Sequence, residues 1–283
     1  MTKFFVVDGR NVEAKLLGNG CTTVLFFHGF GSSAEAIPVD EGLLAQHDLQ
    51  LLCFNRPGVG RSCLREKYGV EDTAADAKAL LKELGIQQCV VAGWSAGGLF
   101  AQAFAHLYPE KVLSLHLVSS AIPFASSEAA DALPRRWKRL VFLNRFVPFL
   151  AKILFGSVSK KAQKNPGQLM QQSIKDMVPA DKEVANDQRV YPLLQQAAVE
   201  GFANKGMGVL QEAKALGKAR IDYNKITCRV HIWTGEQDNV WPLSTARFLH
   251  NHLPQAELHI FRNAGHLLYL KEWKKLIEAF APR

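Results

Sequence analysis

Residues 89–98 read CVVAGWSAGG. A run of small apolar residues ends abruptly in Ser95, with Gly93 before it and Gly97 and Gly98 after it. The run has the character of a strand buried on both faces. The stretch that follows, AGGLFAQAFAHLYPE, reads as a helix ended by Pro109. Gly93-Trp94-Ser95-Ala96-Gly97 therefore fits G-x-S-x-G in the strand–turn–helix setting that gives the pattern a meaning. A corner this sharp forces the serine into an unfavourable backbone region, and small neighbours relieve the crowding. The free N–H groups of the helix start then point at whatever the hydroxyl approaches. Alone, the match is weak, because a serine at such a corner can simply cap the helix. The rest of the chain decides.

Working outward, strand-like and helix-like stretches alternate. KFFVV and NVEAKLL flank Asp8-Gly9-Arg10, a hairpin signal. TTVLFFHG (22–29) and LQLLCFN (49–55) are buried-strand runs. In VEDTAADAKALLKELG (70–85), Ala77, Leu80, Leu81 and Leu84 recur at helical spacing and Gly85 suits the C-terminal cap. VLSLHLVSS (112–120) is another strand. From about Pro123 to Asn224 no clear strand appears. That stretch is helix-like and punctuated at Pro134, Pro148, Pro166, Pro179 and Pro192. CRVHIWTG (228–235) resumes the alternation, then a helix at 243–252, the strand AELHIF and a closing helix LYLKEWKKLIEAF. Such alternation predicts an α/β fold with right-handed crossovers and a mostly parallel sheet, mixed because of its opening hairpin. Residues 1–122 and 225–283 form the expected core domain. Residues 123–224 form an inserted helical cap over the carboxyl edge of the sheet, where ligands bind in open α/β sheets.

The 283 residues carry a net charge of +8. Nine basic residues and no acidic one fall between Arg135 and Lys164, leaving 25 basic against 26 acidic residues elsewhere. The charge belongs to one segment, which argues against a nucleic-acid-binding surface. Two readings of that segment stand. In one, cap helices cover the site with one face and solvate basic residues on the other. In the second, the cap also touches anionic lipid or accepts amphiphilic substrates. No window approaches a membrane span. The apolar run of MTKFFVVDGRN is too short for a secretory signal, so a cytoplasmic protein is expected. The five cysteines include no CxxC pair, and buried inert thiols are expected for Cys53 and Cys89. His250, His252 and His259 resemble a metal set only superficially, the first two lying on different sides of a helix, and no metal or other cofactor is predicted. RPGVGRS lacks the ending of a phosphate loop and reads as a tight loop beside the site.

A serine hydroxyl needs a base in reach, and the base needs an orienting acid. In α/β enzymes the order is Ser, then Asp or Glu, then His. WTGEQDNVWP places Asp238 in a loop after a strand, and FRNAGHLLYL does the same for His266. Glu236 competes with Asp238 for the acid position, and Asp222 is a weaker alternative. A strand also runs into His28-Gly29-Phe30-Gly31. There the Phe30 and Ala96 backbone N–H groups are the natural pair to meet a developing oxyanion. His28 is expected to brace that loop rather than take part in chemistry.

With these pieces in order, the chain resembles the α/β-hydrolase superfamily. The resemblance rests on HGFG (28–31), NRPGVGRS (55–62), GWSAGG (93–98), GEQDNVWP (235–242) and NAGHLLYL (263–270). It implies an eight-stranded, mostly parallel sheet with its second strand antiparallel and a helical cap after the sixth. It also implies a Ser95–His266–Asp238 triad and an acyl-enzyme intermediate. Trp94 fills the variable slot before Ser95, and the stretch does not show the aspartate nucleophile of dehalogenases or epoxide hydrolases. The expectation is a serine hydrolase cleaving a small-molecule carboxylic ester or related acyl compound. Its apolar pocket should be lined by Phe30 and Trp94 under the cap. A ligand receptor with slow turnover, an acyltransferase, a thioesterase and a C–C hydrolase remain alternatives on the same machinery.

Overall fold

In a computed structural model, which describes residues 1–253 and 255–281, the opening hairpin pairs β1 (Thr2–Val7) with β2 (Arg10–Gly18). Asp8 and Gly9 between them have φ of 48° and 71°, the left-handed backbone of a two-residue type I′ turn. β2 also runs antiparallel to β4 (Leu49–Phe54), and from there every pairing is parallel. The remaining strands are β3 (Thr22–Phe27), β5 (Cys89–Trp94), β6 (Val112–Val118), β7 (Arg229–Gly235) and β8 (Ala256–Phe261). The eight strands lie in the order β1-β2-β4-β3-β5-β6-β7-β8. This is the mixed sheet the sequence predicts.

The central strands are mostly apolar because both faces are covered. In β3, Leu25 and Phe27 join one core, and Val24 and Phe26 join the other. The period of two sends alternate residues to opposite sides. The first core is closed by helices α2 (Val70–Glu83), α3 (Ala96–Leu107) and α10 (Leu243–His252). The second is closed by α1 (Glu41–Gln46), α11 (Leu268–Lys271) and α12 (Trp273–Phe280). The closing stretch, expected as one helix, is split at Glu272, where φ/ψ is −106°/25°. Cys53 and Cys89 are buried in strands, and burial pushes both thiols up to about 12, so they are protonated and inert at neutral pH.

Between β6 and β7 stand six helices: α4 (Arg135–Phe146), α5 (Pro148–Lys164), α6 (Pro166–Lys175), α7 (Pro179–Ala185), α8 (Val190–Gly201) and α9 (Met207–Leu216). Proline sets most of their starts. Pro148, Pro166 and Pro179 are first helical residues, and Pro134 precedes α4. Its fixed φ and missing N–H suit the first turn. Pro192 is the exception, sitting inside the first turn of α8, where no intrahelical N–H bond is lost.

Candidate active site

Ser95 occupies the corner between β5 and α3 with φ 58° and ψ −128°. A non-glycine residue holds such a conformation only where its surroundings over-determine it. Here the Ser95 N–H donates to the Val118 carbonyl at 3.0 Å, and the Ser95 carbonyl accepts from Ala121 N–H at 2.9 Å. The glycine at 97 has a steric reason: a Cβ there would run into the Phe27 carbonyl oxygen. Close contact between α3 and the end of β3 therefore requires glycine.

Asp238 and His266 hang from neighbouring loops after β7 and β8. The loops are stitched together by Gln237 N–H donating to the Ala264 carbonyl and Glu236 N–H to the Phe261 carbonyl, both at 3.0 Å. The three side chains meet. The Ser95 hydroxyl lies 3.0 Å from His266 Nε2, and His266 Nδ1 lies 3.0 Å from Asp238 Oδ2. A carboxylate at Nδ1 calls for a donor there, which leaves Nε2 to accept the serine proton. Asp238 is buried, and its second oxygen accepts from the Val240 and Trp241 N–H groups at 2.8 and 2.9 Å. Its competitors are elsewhere: Glu236 is exposed, and the Asp222 carboxylate accepts from Asn224 N–H.

The loop after β3 reaches the same place. Among the described residues, neither Phe30 N–H nor Ala96 N–H donates to a protein acceptor. The Phe30 ring packs edge-on against Trp137 of α4 and Phe155 of α5, with centroids 5.8 and 6.0 Å apart. His28 is fully buried and burial holds it well below the ordinary imidazole range. It is therefore neutral, with Nδ1–H donating to the Gly29 carbonyl at 3.0 Å. Trp94 turns its indole under the His266 loop. Its Nε1–H donates to the His266 carbonyl at 2.8 Å, and its ring lies 4.5 Å from that of Tyr269. These contacts position the histidine loop.

Three further residues act on the site without being foreseen. Arg56 is buried and donates to the His28 and Gly29 carbonyls at 2.7 and 2.9 Å. It also pairs with the buried Glu212 of α9 at 2.7 Å. Asp181 of α7 accepts from both His266 N–H and Leu267 N–H, each at 2.8 Å. Burial pushes the Asp181 carboxyl above its ordinary value, against the pull of those two bonds. The inserted helices thus hold the backbone of both loops, one through Glu212 and Arg56, the other through Asp181.

Two cavities border the site. One of about 230 Å³ lies between Gly31 and helices α5, α6 and α8, lined by Val158, Leu169, Met170 and Phe202 among others. One of about 220 Å³ touches His266 and has the charged side chains Arg136 and Asp176 in its wall. Away from both, His259 stands not with His250 or His252 but beside His231 and Glu257, with ligand-capable atoms within 4.8 Å of one another.

The comparisons with known proteins agree with this fold. A family model described as alpha/beta hydrolase fold matches residues 22–272. Pimeloyl-[acyl-carrier protein] methyl ester esterase of Chromobacterium violaceum is 28% identical over 275 residues, covering 96% of this chain and 97% of the relative. Poly(3-hydroxyalkanoate) depolymerase of Ectopseudomonas oleovorans is 29% identical over 265 residues, covering 92% and 82%. The crystal structure of the enol-lactonase from Burkholderia xenovorans superposes with a TM-score of 0.74 at 16% identity, covering 98% and 97%. With a sheet of this order, a serine at the β5–α3 corner and a family match across most of its length, the chain belongs to the alpha/beta hydrolase fold family and is a hydrolase.

Proposed function

We propose that the protein is a serine esterase that cleaves a carboxylic ester through an acyl-enzyme on Ser95. The observation that carries the reading is the unbroken chain Ser95–His266–Asp238, with two 3.0 Å links, ending beside two unused N–H groups. As Ser95 Oγ attacks the ester carbonyl, His266 Nε2 takes the hydroxyl proton. Asp238 holds the tautomer and stabilises the imidazolium. The carbonyl oxygen becomes an oxyanion facing Phe30 N–H and Ala96 N–H. Collapse breaks the C–O bond, and His266 hands its proton to the departing alcohol. Water then attacks the acyl-enzyme with the same imidazole as base, and the acid leaves with Ser95 restored.

Ester is preferred over other acyl bonds because two relatives are named for ester substrates, a methyl ester and a poly(hydroxyalkanoate). Helices α4 to α9 act as the cap. The cavity by Gly31, which no charged side chain lines, suits an apolar acyl chain, and the one at His266, with Arg136 and Asp176 in its wall, suits the alcohol side. With p-nitrophenyl esters, kcat/KM is expected to rise by up to about fourfold for each methylene added from acetate, since one buried methylene contributes about 0.8 kcal/mol. The rise should stop when the cavity is full. Rates independent of chain length, or no turnover beyond a single equivalent, would remove the reading.

The Asp181 clamp gives a second expectation. Asp181→Ala leaves the His266 and Leu267 N–H groups without their acceptor, so the imidazole loses its fixed position over Ser95. Kcat is expected to fall by about 10²-fold with KM little changed, the cost of roughly 1 Å of misplacement. Asp181→Asn, which keeps one acceptor oxygen, should fall less. Equal kcat in wild type and Asp181→Ala would show that the clamp does not position the base.

A further inference from the structure

The outer face of α4 and α5 is not built as a solvent face. The two helices meet at Val147 and are bent by 117° to one another. Around that corner Phe142, Phe146, Phe149, Leu150, Ile153 and Leu154 are 48% to 72% exposed. The inward faces have their own apolar residues, with Trp137, Ala151 and Phe155 buried. Each helix is therefore apolar on two sides, whereas a helix covering a core needs one apolar stripe. The same stretch holds the nine basic residues from Arg135 to Lys164 and no acidic one. Among the described residues, none of the nine forms an ion pair. No single helix among the described residues is long and apolar enough to cross a membrane.

We propose that the α4–α5 corner docks on an anionic lipid bilayer. Phenylalanine and leucine side chains at the bend enter the acyl boundary, while arginine and lysine reach the headgroup phosphates. Charge selects this occupant over a second copy of the chain. A two-fold contact through the corner would set two unpaired cationic segments against each other. Helices α4 and α5 also carry Trp137 and Phe155, which rest on Phe30, so the docked face is the outside of the wall over Ser95. An ester dissolved in the bilayer thereby meets the site at its entrance; this consequence, unlike the docking itself, rests on the esterase reading.

The test is co-sedimentation with vesicles of phosphatidylcholine alone or with 30% phosphatidylserine at low salt. Wild type is expected to bind the anionic vesicles at least tenfold more tightly and to lose that binding in high salt. Arg139→Gln/Arg145→Gln/Lys152→Gln should weaken binding by about 10²-fold, near fivefold per charge. Phe146→Ser/Phe149→Ser should weaken it about as much. Circular dichroism melting checks that both variants fold as wild type does, and neither measurement involves Ser95 chemistry. The proposal is overturned by equal binding to neutral and anionic vesicles, by binding to neither, or by full binding of the phenylalanine variant. It is also overturned if an acyl-carrier protein, the carrier named for one relative, occupies this corner while vesicles do not.

Discussion

Ser95→Ala is expected to lower kcat for p-nitrophenyl butyrate by about 10⁶-fold, with the fold intact. The magnitude follows from what is removed. In the proposed mechanism the Ser95 hydroxyl, 3.0 Å from His266 Nε2 at the β5–α3 corner, is the nucleophile. Water attacking a bound ester keeps only the help of the Phe30 and Ala96 N–H groups, which leaves residual acceleration rather than none. The second half of the expectation is sharper. Ser95→Ala/His266→Ala should be no slower than Ser95→Ala, because a base without its nucleophile contributes little. Additive losses in the double variant, measured as kcat under saturating ester, would mean that His266 serves a different nucleophile.

Arg56→Met is expected to destabilise the protein by about 3–5 kcal/mol in denaturant unfolding. Arg56 and Glu212 are each 1% exposed in their side chains, and their 2.7 Å contact is the compensation for burying both charges. Burial already pushes the Glu212 carboxyl above its ordinary value, with Arg56 pulling it back. Without the guanidinium the carboxyl has no such opposition, and its folded-state pKa rises further above the unfolded one. A group of that kind lends stability at low pH and loses it as pH rises through the folded-state pKa. The deficit should therefore be larger at pH 8 than at pH 5. Arg56→Met/Glu212→Leu should recover part of the lost stability, since no buried charge is left alone. It should not recover activity. The His28 and Gly29 carbonyls still lack their donor, the Phe30 N–H is no longer aimed, and kcat should stay about 10²–10³-fold down in both variants. Stability unchanged in the single variant, or kcat restored in the double, would contradict this role.

The parts of the molecule legible in the sequence are those written in local pattern. The hairpin needs two residues with positive φ, and Asp8-Gly9 supplies them. β5, and β3 after its two opening threonines, are apolar because both their faces are covered. Ser95, Asp238 and His266 each follow a strand, and a parallel sheet collects such ends at one edge. What the sequence hides are pairings between distant residues with no local signature. Asp181 is 85 residues from His266, and Arg56 is 156 from Glu212. An aspartate early in α7 reads as an ordinary acidic first turn, and a glutamate in α9 as surface. The Trp94 indole holds a pairing of the same kind, its N–H taken by a carbonyl 172 residues away. One signal was available for Arg56. An arginine directly after the buried run 49–55 has no solvent to meet, and so needs a buried acid.

The most direct measurement of the central claim is reaction of the folded protein with a fluorophosphonate, read by intact mass and peptide mapping. A single adduct on Ser95 is predicted, forming at least 10³-fold more slowly in His266→Ala, since the imidazole takes the serine proton during attack. No adduct on a protein of native melting behaviour, or an adduct on another residue with Ser95 untouched, would contradict it.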